Sequence, residues 1–486
     1  MLFRLLPVLH VLGAMLMFFS ITYLIPIVAS LVYEDGTWID FVAGMAIAFV
    51  CGALMFLVGL RNKRELKPRD GFLLVTLAWV LMAAIATVPL MMVFDELTFT
   101  DAFFETLSGL TTTGATVLTG IEKLPPAINI WRHELNWLGG MGIIVLAVAI
   151  LPLLGIGGMQ LFKAETTGVN KDSKLTARIA DTAKALWLVY AIATLLCILA
   201  LKAVGMNWLD AICHAFSCLS LGGFSTYDAS VGQFDSPAIE VVLIVFMVFA
   251  AINFASHFLV WRKRSLAVYA RDAEAWAVVS LLVSSTLVCA TYLSVRDTFP
   301  DFLTSLRHVA FNLVSIATDC GYASQDFDKW PAFVPWWMLF LSCVTVSSGS
   351  TGGGIKMVRT LILAQQGLTE LRRLIHPRMV APLRVGQANV SQQIAGAVLG
   401  FIFLYILAVG ELTFLLVASG LDFTSSITAI IACINNMGPG LNVVGPAQNY
   451  QMLTDFQTWV CAAAMLIGRL EVMTVFVLFI PSFWRS

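Results

Sequence analysis

Long apolar runs alternate with short polar links over most of the chain. Ten of the runs reach the roughly 20 residues that a helix needs to cross a bilayer. They lie near residues 5–32, 38–60, 71–94, 134–160, 184–205, 238–261, 275–295, 332–362, 393–419 and 456–483. The pattern therefore predicts an all-α polytopic membrane protein with ten spans.

Four shorter apolar segments stand between the later pairs of runs, and each leads directly into a Gly-centred segment. With 11 to 14 residues each, they are too short to cross a bilayer, so we expect re-entrant helices. These short helices are predicted at 99–110, 209–219, 303–316 and 423–434. The Gly-centred segments that follow are 111–116, 220–225, 318–323 and 435–440, and their shared glycines are Gly114, Gly223, Gly321 and Gly438.

The shared glycines define an internal repeat along the chain. They are separated by 109, 98 and 117 residues, and Asp101 and Asp210 both stand thirteen residues before their glycine. Each pair of spans returns the chain to the same side, so the units run parallel and can surround a pseudo-fourfold axis. We expect two additional N-terminal spans in 1–70, followed by pore repeats at 71–183, 184–271, 272–388 and 389–486.

Basic residues set the predicted orientation. They cluster in the links after the second, fourth, sixth and eighth runs, whereas the opposite links begin with acidic or neutral residues. The positive-inside rule then places both termini in the cytoplasm. It also places the four Gly-centred segments on the outer side.

Composition supports the membrane assignment and limits the chemistry. The chain is 59% hydrophobic and 12% charged, whereas a soluble protein has roughly a quarter of charged residues. Its net charge of −1 gives no basic excess for nucleic acid. The nine cysteines form no Cys-x-x-Cys pair and the six histidines no His-x-x-x-His pair. We therefore expect no disulfide framework, no metal–thiolate site and no enzyme active site.

The Gly-centred segments are candidates for a cation site. One such segment alone is a turn between helices, but four at the same place in four units need another explanation. Gly lets backbone approach an axis closely, and carbonyls can replace the water shell of an ion. The C-terminal ends of the short helices also favour a cation. The candidate filter residues are Thr111, Thr112, Thr113, Gly114, Ser220, Leu221, Gly222, Gly223, Thr318, Asp319, Cys320, Gly321, Asn435, Asn436, Met437 and Gly438.

Two of these residues depart from the repeat. Asp319 either coordinates a cation or lies behind the filter and holds its loop, and we favour the second interpretation. Asn435 stands where the other units have a hydroxyl, three residues before the glycine, at Thr111, Ser220 and Thr318. Those three hydroxyls are candidate cation ligands at the inner edge of the filter.

A stretch rich in Ser, Thr and Gly, residues 347–356, interrupts the eighth apolar run. One interpretation ends the span at Val346 and continues in a cytoplasmic loop. We favour an intramembrane loop, because 336–346 is too short to cross alone and an apolar pattern resumes at 358–363. Its candidate gate residues are Ser347, Gly349, Gly352, Gly353, Gly354 and Lys356.

Arg469 stands in the middle of the last apolar run. A charge at this depth costs at least about 2.5–3.5 kcal/mol, so it needs a partner or water. An ion pair with Glu471 is the plain alternative, but residues two apart point to different faces of a helix. Glu471 is then open to pairing with another cation. We expect His133, Glu134 and Asn136 to lie at the outer interface.

With these features, the chain resembles the Trk/Ktr/HKT superfamily of potassium transporters. The resemblance rests on four span–short helix–Gly segment–span units and on local sequences such as Thr-Thr-Thr-Gly-Ala-Thr, Ser-Leu-Gly-Gly-Phe-Ser and Asn-Asn-Met-Gly-Pro-Gly. The two extra leading spans resemble the bacterial members in particular. The resemblance covers essentially the whole chain.

The resemblance implies several functional properties. Gly114 in the first filter goes with potassium selectivity, and the intramembrane loop gates beneath the filter. Arg469 is placed just below the filter, where it repels a cation and can hydrogen-bond the carbonyls of the loop. The resemblance also implies a homodimer in a bacterial inner membrane, on a cytoplasmic ring of TrkA-like nucleotide-binding regulatory subunits. Potassium is then the transported ion, with no tightly bound cofactor.

The predicted function is therefore potassium uptake through a four-repeat selectivity filter. The intramembrane loop, Arg469 and a regulatory subunit gate it. A proton- or sodium-coupled potassium symporter is the alternative, since secondary transporters also bind ions at broken helices. Many such folds use inverted repeats, whereas these repeats are parallel, which favours channel-like conduction.

Overall fold

The computed structural model describes residues 2–60, 66–149, 179–379, 382–386 and 388–485. These residues are mainly helical. The helices are α1 (Leu2–Phe19), α2 (Leu24–Tyr33), α3 (Trp38–Gly59), α4 (Pro68–Val93), α5 (Phe99–Leu110), α6 (Pro126–Ala149), α7 (Ile179–Ala203), α8 (Trp208–Ser220), α9 (Pro237–Ala251), α10 (Phe254–Lys263), α11 (Ala267–Ala270), α12 (Ala273–Val295), α13 (Phe302–Ala317), α14 (Phe333–Val344), α15 (Met357–Ile375), α16 (Gln392–Ala418), α17 (Phe423–Ile434), α18 (Asp455–Arg469), α19 (Met473–Phe476) and α20 (Pro481–Arg485). A hairpin of β1 (Leu383–Val385) and β2 (Ala388–Val390) follows α15, and the apolar pattern does not predict it.

Most of the predicted spans appear as long apolar helices. Within the described residues, six helices are long and apolar enough to cross a membrane, or eight if two bent pairs each count as one span. The first bent pair is α9 with α10, at an angle of 95°. The second is α18 with the short helical segment Met473–Phe479, at 106°. The fourth predicted run continues past Ala149 into residues outside the described ranges. The count of ten spans and the limits of the repeats stay predictions.

The four predicted short helices are present, with ends within one residue of the predicted ones. They are α5, α8, α13 and α17. At each start, the side chain of the preceding residue accepts a hydrogen bond from the amide three residues later, which satisfies a free N–H of the first turn. These capping residues are Thr98, Asn207, Asp301 and Asp422. Each short helix ends at a Gly-centred segment, and its C-terminal half is mostly buried.

The two N-terminal predicted spans pack closely on each other and on the first repeat. A Cβ atom built on Gly13 of α1 would lie 2.5 Å from the carbonyl oxygen of Gly52 in α3, so the small residues let the two backbones approach. Asp35, in the link between α2 and α3, accepts a hydrogen bond of 2.9 Å from the backbone N–H of Ala127. That bond joins the N-terminal helices to the start of α6.

Candidate cation pathway

The four Gly-centred segments meet around one point. A Cβ atom built on any shared glycine would collide with a backbone carbonyl of the next segment in chain order. The distances are 2.3 Å from Gly114 to the oxygen of Gly222, 2.1 Å from Gly223 to Cys320, 2.0 Å from Gly321 to Met437 and 2.7 Å from Gly438 to Thr113. The last contact returns to the first segment. The contacts therefore form a closed ring that leaves no space for a side chain at these glycines.

The same backbone path recurs in all four segments. Each glycine has positive φ, as has the residue two positions before it, where L side chains are rarely found. These paired φ values are 54° and 77° at Thr112 and Gly114, 55° and 69° at Leu221 and Gly223, 64° and 85° at Asp319 and Gly321, and 55° and 96° at Asn436 and Gly438. In each segment the amide between this pair donates to the carbonyl five residues earlier, at 2.8 to 2.9 Å.

One small cavity lies against the ring. Its volume is about 80 Å³, and all four shared glycines line it. Arg132, Tyr227 and Asp228 also contribute to its wall. The four segments thus share a single solvent-sized space, as an ion path requires.

The three hydroxyl residues at the inner edge lie close to their own helices. Thr111, Ser220 and Thr318 each donate the hydroxyl hydrogen to the carbonyl four residues earlier, at 2.7 to 2.8 Å. Because each hydroxyl hydrogen is already donated to a carbonyl, the lone pairs of the oxygen can accept a hydrogen bond from another group or coordinate a cation. Their role as cation ligands stays a prediction.

Asn435 makes different contacts from the hydroxyl residues at the equivalent positions of the other three segments. Its Oδ1 accepts 2.6 Å from the hydroxyl of Tyr405, and its Nδ2 donates 2.9 Å to the hydroxyl of Ser342. Ser342 lies in α14, just before the intramembrane loop, and Tyr405 lies in α16. The side chain therefore holds the fourth segment against the helices behind it.

The predicted intramembrane loop (347–356) is largely buried against the ring. Thr351 donates its hydroxyl to the carbonyl of Leu219 at 3.0 Å. A Cβ atom on Gly353 would lie 2.0 Å from the carbonyl oxygen of Asn435, and one on Gly352 would lie 3.1 Å from that of Thr318. The loop thus touches the third and fourth filter segments and the end of α8, which leads into the second.

The other predicted gate residues lie in the same loop and hold its shape. Gly354 has φ of +68° and packs against the carbonyl oxygens at the end of α14. The Lys356 ammonium group donates to the carbonyl of Gly352. The amide of Ser347 donates 2.9 Å to Ala251, and Gly349 accepts 3.1 Å from Phe254. The bend between α9 and α10 therefore supports the loop.

Asp319 is buried and contacts the loop. Its Oδ2 accepts a 3.1 Å hydrogen bond from the amide of Gly353, and the side chain is fully buried. Its charge also faces Lys356 and Arg469. The arrangement matches the second interpretation, in which the carboxylate holds the loop.

Arg469 is the last residue of α18, and its buried guanidinium joins two elements. One N–H donates 2.8 Å to the carbonyl of Thr351 in the loop, and another donates 2.8 Å to that of Gly139 in α6. Glu471 instead accepts 2.7 Å from Arg359, at the start of α15. The alternative of an Arg469–Glu471 pair is therefore wrong. The helix ends at Arg469, and the backbone turns before Glu471.

His133, Glu134 and Asn136 lie in α6, and their side chains are buried within the protein. Their expected place at the outer interface stays a prediction. The helix begins at Pro126, eight residues before the predicted run, because it tolerates polar side chains that pack inward. Asn136 donates 3.0 Å to the hydroxyl of Ser217, and a Cβ atom on Gly222 would lie 2.5 Å from its amide nitrogen. It therefore supports the second filter segment from behind.

Sequence reasoning missed a buried ion pair beside the first filter segment. Arg132 donates 2.8 Å to Glu105, and both side chains are about 1% exposed. Glu105 also accepts from the hydroxyl of Thr116 and the amide of Val117, while Arg132 reaches the carbonyl of Ser225. The pair thus links the first and second segments. The available signal in the sequence was a charged residue in or beside each of two apolar stretches: Glu105 in 99–110 and Arg132 just before 134–160.

A family model described as TrkH, cation transport protein, matches residues 39–486. The chain belongs to the TrkH family. Its relatives include the Trk system potassium uptake protein TrkH of Halomonas elongata, 45% identical over 480 residues and covering 99% of both chains. The TrkH of Escherichia coli K12 is 42% identical over 480 residues, covering 98% of this chain and 99% of that one.

A solved TrkH family structure has the same fold. The crystal structure of the potassium transporter TrkH from Vibrio parahaemolyticus matches with a TM-score of 0.91 and 40% identity, covering 99% of this chain and 100% of that one. TrkH proteins are transporters, so the prediction that this multi-pass membrane chain is not an enzyme is confirmed. The suspected membership of the Trk/Ktr/HKT superfamily is confirmed as well.

Proposed function

We propose that this chain is the pore of a potassium uptake system, with the four Gly-centred segments as its selectivity filter around a pseudo-fourfold axis. The closed ring of glycine–carbonyl contacts carries the proposal. Related chains of nearly the same length are named as potassium uptake proteins, which supports potassium as the ion. The shared backbone path gives each quarter the same set of carbonyls, the kind of ligand that replaces the hydration shell of potassium.

The short helices supply the electrostatics of this site. All four end at the filter, and a helix C-terminus carries about half a negative charge. Buried carboxylates are then unnecessary for attracting a cation, and Asp319 remains available to hold the loop. Weak, shared attraction also lets the ion leave, which conduction requires.

The intramembrane loop and Arg469 form the closed gate in this proposal. The loop lies against the third and fourth filter segments and the end of α8, and the guanidinium links it to α6 through the carbonyls of Thr351 and Gly139. A fixed positive charge beside the path also repels a cation. Opening requires that the loop leave Asp319 and Arg469, since these bonds hold it in place.

The remaining assignments extend the proposal to the assembly. The chain works as a homodimer in a bacterial inner membrane with both termini cytoplasmic. A cytoplasmic ring of TrkA-like nucleotide-binding subunits binds the face of the protein that carries the basic links. From there it controls the position of the loop. The basic links at 262–271 and 372–384 support that orientation.

Cation flux into proteoliposomes tests the function. We expect potassium to enter and sodium to be largely excluded, with a larger flux when the regulatory subunit is present. Equal entry of the two ions would contradict the filter. A reversal potential that follows an imposed proton or sodium gradient would instead support the symporter.

A further inference from the structure

An apolar groove lies outside the cation pathway, beside the bend between α9 and α10. Its volume is about 520 Å³, and its wall includes Val245, Phe249, Leu266, Ala270, Trp276 and Val279. The polar groups in the wall are already satisfied. His257 bonds the hydroxyl of Tyr269 through Nδ1 at 2.6 Å and the carbonyl of Phe249 through Nε2 at 2.9 Å. The groove therefore offers mainly carbon to an occupant.

The groove faces the surroundings of the helix bundle. Val245 is 58% exposed, Trp276 61% and Leu266 74%. Val245 and Trp276 stand on helices with the composition of membrane spans. Exposed apolar side chains on such helices contact lipid, since a bilayer is the solvent for that surface. An acyl chain is then the hydrocarbon available to enter the groove.

Basic residues stand at the rim of the groove. Helix α10 turns 95° away from α9 and runs into Arg262, Lys263 and Arg264, all exposed. Arg264 comes two residues before Leu266, and Arg271 directly follows Ala270, so both flank wall residues. None of these four basic side chains forms a salt bridge with another described residue. By the positive-inside rule this rim is on the cytoplasmic side, where anionic lipids attract basic groups.

We propose that the groove binds one acyl chain of an anionic phospholipid, with the lipid phosphate held by Arg264 and Arg271. The apolar wall selects an amphiphile over a soluble anion. The basic rim, which forms no salt bridge within the described part of the chain, selects an anionic headgroup over a zwitterionic one. Arginine suits the headgroup because its planar fork can donate two hydrogen bonds to one phosphate.

The position of the site connects it with the intramembrane loop. Ile252 lies in the groove wall, and its neighbours in the chain hold the loop: Ala251 accepts from Ser347, and Phe254 donates to Gly349. On the other wall, Ala275 follows Glu274, whose carboxylate accepts 2.8 Å from the amide of Ser348. A lipid in the groove therefore contacts both segments that support the loop from behind.

Native mass spectrometry of the purified full chain tests the site, with phosphatidylglycerol and phosphatidylcholine added separately. We expect selective retention of phosphatidylglycerol. The double variant Arg264→Gln/Arg271→Gln should weaken it roughly tenfold or more, since each basic side chain adds about 1 kcal/mol near an anionic lipid surface. The matched control Arg372→Gln/Arg378→Gln removes two exposed charges in another link and should retain the lipid.

Two further experiments distinguish binding of the whole lipid from binding of its headgroup alone. Ala270→Trp fills the groove at an exposed position and should reduce retention of phosphatidylglycerol, while glycerol phosphate should not displace the bound lipid. Equal retention of the two lipids by the wild-type chain would overturn the proposal. So would equal losses in the test and control double variants, or displacement by glycerol phosphate, which would indicate a simple anion site.

Discussion

Arg469 and Thr351 are joined by a 2.8 Å hydrogen bond across 118 residues of sequence. The bond ties the end of the last long helix to the loop beneath the filter, and the same guanidinium reaches Gly139. A hydrogen bond from a charged donor contributes about 1.5–3 kcal/mol. The bond to Thr351 is therefore one of the stronger single contacts that hold the loop in place.

Substitution Arg469→Ala should raise potassium flux. Loss of even one such bond shifts the balance between held and released loop by roughly tenfold or more, and loss of the charge removes repulsion of the cation. Arg469→Lys keeps the positive charge but lacks the planar guanidinium that bonds Thr351 and Gly139 together, so it should give an intermediate flux. Potassium uptake into proteoliposomes measures the effect, and unchanged or lower flux from well-expressed Arg469→Ala protein would oppose it.

Asp319→Asn should distinguish the two tasks considered for that carboxylate. If Asp319 holds the loop through Gly353, loss of its charge beside Lys356 and Arg469 loosens the loop. Flux then rises while the ratio of potassium to sodium entry stays the same. A fall in that ratio would show instead that the carboxylate coordinates the ion.

Glu471→Gln should destabilise the folded protein by roughly 1–3 kcal/mol. The substitution removes an anionic partner of Arg359, whose side chain is 2% exposed and also lies 4.1 Å above the ring of Phe401. Glu370→Gln is the matched control, since its pair with Arg373 is at the surface and contributes at most about 0.5 kcal/mol. Thermal unfolding in detergent compares the two; equal shifts in Tm would refute the difference.

Asp35 gives the protein a pH-dependent component of stability. Burial acts to raise the pKa of this carboxyl, but hydrogen bonds from Ser30, Ala127 and Thr37 outweigh it and lower the pKa. A carboxylate with a lowered folded-state pKa stabilises the fold above its unfolded pKa, near 4, and loses this contribution as pH falls through the folded value. The Tm of Asp35→Asn should therefore be lower at pH 7 and approach the wild-type Tm in acid. A constant gap would exclude this linkage.

The short helices and the glycines could be predicted from sequence because their signals are local. A capping side chain starts each helix, and a glycine with positive φ follows each end. The break after Arg469 could not be predicted, because apolar residues resume directly after Glu471 and the run 456–483 is long enough for one span. The burial of Asn136 could not be predicted either, because a polar residue ahead of an apolar run suggests solvent, whereas this side chain packs against the second filter segment.

The ring of glycine–carbonyl contacts is tested most directly by a pair of alanine substitutions. Gly223 has φ of +69° and would place its Cβ 2.1 Å from the oxygen of Cys320, whereas Gly120 has φ of +65° and would meet no described atom within 4 Å. Backbone strain is therefore matched, and only the space in the ring differs. We expect Gly223→Ala to abolish potassium flux or its preference over sodium, with Gly120→Ala retaining both. Wild-type selectivity and flux in folded Gly223→Ala protein would contradict a filter at this ring.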